Sequence, residues 1–276
     1  MMNILMSANQ DVMSGVELVL YTLLTHNKNC RIYIATMDID VRINDNGGMI
    51  HYNGLHEGEK FFLKKMVKYL DQTSEIKFID CHDYYMNELY GNPNELSASW
   101  LTPYASLRLF ADEMHPNIDH VLYLDCDVSI HANLEHMYYD CISKDVDYSA
   151  HVSDDACGGK GEMVAGVMVL NLKKNRETGF LKLARENVKR NAYQWYDQDA
   201  IRDTGVVPNK LSSDYAYMDD VFTLTSLPKI LHYTNRLSPK IYQKDSTQEY
   251  FYRKFSFLKD AKEGIEFIKK LNFKGD

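Results

Sequence analysis

A chain of 276 residues is long enough to bury a substantial core, and 45% hydrophobic with 25% charged residues is the composition of an ordinary globular protein rather than a fibre or a disordered tail. The formal net charge of −8 argues against a broad grip on nucleic acid, which needs a surplus of Lys and Arg on the binding face. A small phosphate ligand bridged by a metal remains compatible with that balance.

In chain order, Asn3 to Ala8 predicts a strand, Ser14 to His26 an amphipathic helix and Arg31 to Thr36 a second strand. Ser14 followed by Glu17 reads as a capping box, so the loop Ser7 to Met13 should lie between a strand and a helix amino end, a place suited to a nucleotide. Arg42 to Gly58, rich in Asn, Asp, Gly and His, predicts a loop or small hairpin. A helix over Glu59 to Leu70 and a strand over Ile76 to Asp80 follow. Ser99 to Met114 is expected to be helical, with Leu107, Phe110 and Met114 on one face and Pro116 beyond its end.

The apolar run His120 to Leu124 then opens onto Asp125-Cys126-Asp127. Beyond it, Asp147 to Val152 and Val164 to Leu170 predict strands, Lys173 to Asn191 an amphipathic helix, and Ile230 to Tyr233 a short buried strand. This alternation predicts an α/β fold with a mixed, mainly parallel sheet flanked by helices. The composition changes near Thr247, where Tyr250, Phe251, Tyr252, Phe255 and Phe257 are interleaved with Arg253, Lys254 and Lys259. The expected division is therefore a body over 1–245 and a helical, aromatic and basic tail over 246–276. Such a tail either lies on an anionic membrane surface or packs as amphipathic helices on the body.

The five cysteines are odd in number and widely spaced, which suggests neither a disulfide framework nor a zinc ribbon. Met1 to Leu5 enters a strand-like run without a basic segment and cleavage site, and no apolar stretch approaches the ~20 residues that span a bilayer. A cytoplasmic location is expected, with peripheral contact at the inner face of the plasma membrane if the tail binds lipid. Monomer and homodimer both stay open.

In an extended segment side chains alternate faces, so Asp125 and Asp127 should point the same way and Cys126 away. Two carboxylates could then meet one ion. Mg²⁺ and Mn²⁺ take oxygen ligands in an octahedral shell and are commonly shared between protein carboxylates and substrate phosphates. The position at the end of an apolar strand adds weight, because ligands of open α/β sheets gather beyond the carboxyl ends of the strands.

The run Val121-Leu-Tyr-Leu-Asp-Cys-Asp-Val-Ser-Ile130, preceded by Arg108, resembles the signature of glycosyltransferase family 8, which includes glycogenin and bacterial galactosyl- and glucosyltransferases. Further landmarks are Ser7-Ala-Asn-Gln-Asp11, Ala165-Gly-Val-Met-Val-Leu-Asn-Leu172, Asp197-Gln198-Asp199 and His232-Tyr-Thr234. The resemblance implies a GT-A fold and transfer from a UDP-sugar, with Mn²⁺ (or Mg²⁺) as cofactor and retention of anomeric configuration. The acceptor would be a saccharide, lipid-linked or protein hydroxyl.

Residue by residue, the resemblance places Asp125, Asp127 and His232 on the metal, and Ala8, Asn9 and Asp11 near the uridine. Arg108, Cys126, Ala165, Gly166 and Asn235 become further donor contacts, Asp154 and Asp197 lie on the donor sugar with Gln198 beside the anomeric carbon, and Arg236 or Lys240 could supply the charge to the β-phosphate that the family pattern has elsewhere. The chain departs from the family at Val12, where an aromatic often stacks on uracil, and at Val164 and Arg202, where Asn is usual. It departs again through the segment His232 to Lys240, where Gly, Lys and Trp are altered. Two other readings stay open. Asp125-Cys-Asp-Val-Ser129 also resembles the nucleophile motif of haloacid-dehalogenase-like phosphatases, although that motif usually lies near the amino terminus. The departures themselves would suit a sugar-nucleotide-binding or lectin-like protein. For single residues, Asp197-Gln198-Asp199 could simply open a helix, and Asn9 with Asp11 could shape a turn.

Overall fold

The computed structural model describes residues 1–42, 48–92, 102–153, 162–216, 227–233 and 256–271. In chain order these form β1 (Met2–Ser7), α1 (Met13–His26), β2 (Cys30–Thr36), the pair β3 (Ile39–Arg42) and β4 (Met49–Tyr52), α2 (Glu57–Leu70), β5 (Glu75–Asp80) and α3 (His82–Glu88). There follow α4 (Ala111–Met114), β6 (His120–Leu124), β7 (Val128–Ile130), α5 (Glu135–Ile142), β8 (Tyr148–Ser153) and β9 (Glu162–Asn171). The chain continues through α6 (Leu172–Thr178), α7 (Phe180–Arg190), α8 (Tyr196–Arg202), β10 (Asn209–Leu211), β11 (Ile230–His232) and α9 (Ser256–Lys270).

Seven strands form one sheet in the order β10-β8-β9-β6-β1-β2-β5. All neighbours are parallel except around β9, which runs antiparallel to both β6 and β8. The central strands are apolar on both faces because helices cover both. Ile4, Met6, Ile32, Ile34, Leu122 and Leu124 join the core under α1, α2 and α9. Their neighbours Leu5, Tyr33, Ala35, Val121 and Tyr123 join the opposite core under α3, α7 and α8. The period of two is thus what divides one apolar run between two cores.

Several elements differ from the sequence expectation for identifiable reasons. The helix α1 begins at Met13 with Val12 at its cap, so Ser14 lies inside it. Glu17 is buried and ion-paired with Lys269 of α9 at 2.8 Å rather than closing a capping box. The described part of Ser99 to Met114 is a 3₁₀ segment over Pro103–Phe110 that becomes α-helical only at α4. Side chains there bond carbonyls three residues back: Ser106 Oγ donates to Pro103 O (2.7 Å) and Arg108 Nε to Ala105 O (3.1 Å). Such local bonds compete with the regular α-helical pattern. The single helix expected over Lys173 to Asn191 is broken into α6 and α7 by Gly179, whose φ of +72° closes α6. Arg42 to Gly58 does contain half of a hairpin, with β3 and β4 paired in register Ile39↔Tyr52 to Arg42↔Met49.

Helix α9 turns its apolar side to the body, burying Leu258, Ala261, Ile265 and Ile268. Gly264 packs on the ring of Tyr21 in α1, and Phe257 meets His131 edge-on at 4.2 Å. For these residues the tail packs on the body; Tyr250 to Phe255 lie outside the described residues. Among the described residues no helix is long and apolar enough to cross a membrane.

One buried imidazole, His115, and one half-buried, His131, link this packing to pH. His115, edge-on to Tyr33 at 4.4 Å, is pushed down to about 4 by burial, and so is His131. In the unfolded chain both sit near the ordinary value of about 6.5, so between about 4 and 6.5 the unfolded state binds more protons. Their contribution is fully present above about 6.5 and is lost as pH falls towards about 4, worth roughly 3 kcal/mol for His115. A denaturation midpoint clearly lower at pH 4.5 than at pH 7, with a shallower pH slope in His115→Gln, is the expected result; equal midpoints would contradict it.

Candidate metal and donor site

The strand β6 ends at Leu124, and Asp125, Cys126 and Asp127 form a turn rather than a continued strand. The Asp125 amide donates to Gly166 O of β9 (2.9 Å). After the turn, β7 pairs antiparallel with β11 in register Val128↔His232, and the Tyr233 amide donates to Asp127 O (2.9 Å). That pairing carries an imidazole from far along the chain to the two carboxylates. His232 Nε2 lies 3.1 Å from Asp127 Oδ1 and 3.7 Å from Asp125 Oδ2. One ligand atom from each of the three residues falls within 4.8 Å of the others.

Gly166 makes room for this arrangement. A Cβ there would stand 2.7 Å from His232 Nδ1 and 2.8 Å from Nε2, so any side chain would displace the ring. Burial is the largest influence on His232 and opposes its charge, but the Asp127 and Asp125 carboxylates outweigh it and raise its pKa. The donor set of two carboxylates and one imidazole fits a divalent ion, and the nitrogen suits Mn²⁺ better than Mg²⁺. A proton on His232 and an ion would compete for the same lone pair.

Arg108 is 5% exposed and lies beneath the triad. Its Nη2 donates to Asp125 Oδ1 (2.9 Å), its Nη1 to Ala165 O (2.5 Å), and its Nε lies 2.9 Å from Asp197 Oδ2. The Nε–H is directed at Ala105 O, so the contact with Asp197 is an ion pair without an aligned hydrogen bond, which leaves that buried oxygen unbonded. The guanidinium also stacks 4.2 Å over the Tyr123 ring. Burial works against its charge, and Asp125 and Asp197 more than restore it, so Arg108 is a fixed cation. Tyr123 Oη donates to Asp125 Oδ1 as well (2.8 Å). With Oδ1 doubly engaged, Oδ2 is the oxygen turned towards His232.

The Asp197-Gln198-Asp199 segment divides its labour. Asp197 faces Arg108 and is raised to about 6 by burial, against the lowering effect of the guanidinium. Gln198 Oε1 accepts from the Ala165 amide (3.1 Å). Asp199 caps α8, accepting from the Trp195 amide (2.8 Å), and pairs with Arg202 (2.7 Å). Both carboxylates lie in the first turn of α8; Asp199 is spent on the helix end, whereas Asp197 faces Arg108 and Gln198 faces Ala165. Tyr196, just before them, has a φ of +42°, the left-handed region where a bulky residue is strained.

On the other side of the turn, Asn9 Nδ2 donates to Asp11 Oδ2 (3.2 Å) across a 3₁₀ turn over Gln10–Val12. This is the turn-shaping role, and it leaves Asp11 exposed. Ala8 is buried and donates its amide to Ala35 O (2.9 Å). The Cys126 thiol donates to Ser7 O (3.2 Å). The backbone groups of Ala165 are engaged by Gln198 and Arg108 and the Gly166 carbonyl by Asp125, so these two residues act as supports for the site. Asp154, Asn235, Arg236 and Lys240 lie outside the described residues. Two contributors escaped the sequence reading. Tyr123 could have been found, since it shares a face with Asp125 two residues later in an extended segment. Gly15, whose Cβ would overlap the Cys126 carbonyl and so seats the first turn of α1 on the Asp125 to Asp127 turn, gave no signal.

No family model and no curated protein sequence matches the chain. Solved structures do. One is the galactosyltransferase LgtC in complex with donor and acceptor sugar analogues: 18% identity over 94% of this chain and 96% of that one, TM-score 0.64. A second is the glycosyltransferase GlyE of Streptococcus pneumoniae, 16% identical over 96% of this chain but only 64% of GlyE, TM-score 0.62. A third is mouse xyloside xylosyltransferase 1, 14% identical over 84% of this chain and 96% of that one, TM-score 0.57. At these identities the likeness is one of fold, and the fold of this chain is that of GT-A glycosyltransferases.

Proposed function

We propose that this chain is a metal-dependent glycosyltransferase that moves a hexose, glucose or galactose, from a UDP-sugar to a saccharide, lipid-linked or protein hydroxyl. The observation that carries the reading is the convergence of Asp125, Asp127 and His232 at the carboxyl end of β6 in a GT-A fold. Asp125 Oδ2, Asp127 and His232 Nε2 would hold the ion, Mn²⁺ in preference to Mg²⁺. A bound ion would act as a Lewis acid on the diphosphate, stabilising the charge that grows on the leaving group.

The chain's own residues do the rest. Arg108 fixes Asp125 and keeps Asp197 near the reacting sugar, where a carboxylate steadies positive charge developing at the anomeric carbon. Gln198 is tethered through its carbonyl oxygen to Ala165 N, and a carboxamide is in any case a poor nucleophile. With Gln198 so tethered and the Asp197 carboxylate buried and paired with Arg108, we favour attack by the acceptor from the face the diphosphate leaves, with retention of configuration. An inverted product would defeat that step. Asn9 and Asp11 stand at the amino end of α1 on the nucleotide side.

A panel of UDP-sugars assayed for UDP release with Mn²⁺ or with EDTA tests the reading. Release should depend on the metal, favour one UDP-hexose and fall by about a hundredfold or more in Asp127→Asn. UDP binding without release from any sugar, acceptors included, would favour a sugar-nucleotide-binding protein, and phosphate release from simple phosphoesters would favour a phosphatase. Gly166→Ala makes a second prediction. By pushing the His232 ring aside it should weaken Mn²⁺ binding by about tenfold or more, measured by titration; unaltered affinity would remove His232 from the ligand set.

A further inference from the structure

Behind the three ligand side chains lies a set of buried and half-buried polar groups that the proposed chemistry does not use. Ser129 Oγ is 2.8 Å from Tyr233 Oη and 2.7 Å from His131 Nε2. Ser129 and Tyr233 are almost wholly buried, so their hydroxyls must be satisfied inside the protein or not at all. Their places in the chain matter most. Ser129 lies in β7 just past Asp127, and Tyr233 directly follows His232 at the end of β11.

Among the described residues β7 and β11 form a sheet of their own, three residues long on each side. So short a ladder holds its offset weakly without side-chain ties. The offset is also what sets the Asp127–His232 distance, because each ligand leaves the end of one of these two strands. The Ser129–Tyr233 bond crosses the pair beside that point, and the Tyr233 amide is bonded to the Asp127 carbonyl. On the far side the relay ends at His131, whose ring meets Phe257 of α9 edge-on at 4.2 Å.

We infer that Ser129, Tyr233 and His131 are positioning residues for the ion site, and that Phe257 couples them to the C-terminal helix; the inference rests on the metal reading above. It assigns α9 a part in ion binding although none of its described residues belongs to the ligand triad. A merely structural role predicts something different: loss of a hydroxyl would cost stability and leave ion binding alone.

The test is a Mn²⁺ titration of the full chain at fixed UDP, following free Mn²⁺ by its paramagnetic resonance, with thermal midpoints recorded alongside. Tyr233→Phe and Ser129→Ala should each raise the Mn²⁺ dissociation constant by about threefold to tenfold. Their double variant should fall short of the product of the two effects, because both remove the same bond. Tyr148→Phe is the control: it deletes the hydroxyl bond of another buried tyrosine, a part-buried one to Val206 O at 3.1 Å, in the edge region of the sheet. It should lower the midpoint without moving the constant. Phe257→Ala should shift the constant in the same direction as Tyr233→Phe. Tyr233→Phe binding Mn²⁺ as the Tyr148→Phe control does would overturn the inference while leaving the metal reading in place. A parent chain that takes up no Mn²⁺ would sink the metal reading, and this inference with it.

Discussion

One buried guanidinium sets the charge balance of the whole site. Asp125, Asp127 and Asp197 are brought close together in a half-dehydrated place, which costs free energy unless positive charge is at hand. Arg108 supplies it from below, fixed by Asp125, Asp197 and the Ala165 carbonyl and stacked on Tyr123. Its own position depends in turn on the 3₁₀ segment that carries it. A second buried arginine, Arg185, holds that segment through the Leu109 carbonyl and Asp112 and reaches Glu88 and Glu113 as well. Burial still raises Asp197 to about 6, and the Asp127 and Asp125 carboxylates raise His232 against the effect of its own burial.

Part of the fold and of the site is legible in the sequence. The strand-like runs Asn3 to Ala8, Arg31 to Thr36 and His120 to Leu124 lie in the sheet because each combines β-branched or aliphatic residues with a turn signal at its end. Their alternation with helices predicted a mainly parallel sheet, in which all three are interior strands. The carboxylate pair stood out because it interrupts such a run. His232 was legible only through resemblance: nothing local distinguishes it from a core histidine, and it enters the site through a three-residue ladder too short to leave a periodic pattern.

The misreadings share a cause, which is that long-range contacts override local propensity. Glu17 satisfied a capping pattern in sequence, yet Lys269, at the other end of the chain, claims it. The segment Pro103–Phe110 had a helical stripe, but Ser106 and Arg108 bond carbonyls three residues back and tighten it, while Tyr104 ties it to the Met37 carbonyl. Gly179 was hidden inside the amphipathic pattern over Lys173 to Asn191, where a single glycine among Lys, Arg, Glu and Leu residues gave too weak a stop signal. Glycine roles at Gly15 and Gly166 are set by what approaches them from elsewhere, and no window of sequence contains that information.

Crystals soaked with Mn²⁺ and UDP, measured at the manganese absorption edge, would test the central claim most directly. The account predicts one anomalous peak bounded by Asp125 Oδ2, Asp127 and His232 Nε2, with the diphosphate on its open side and Arg108 unmoved beneath. A peak elsewhere, or UDP bound with no metal at the three side chains, would contradict it.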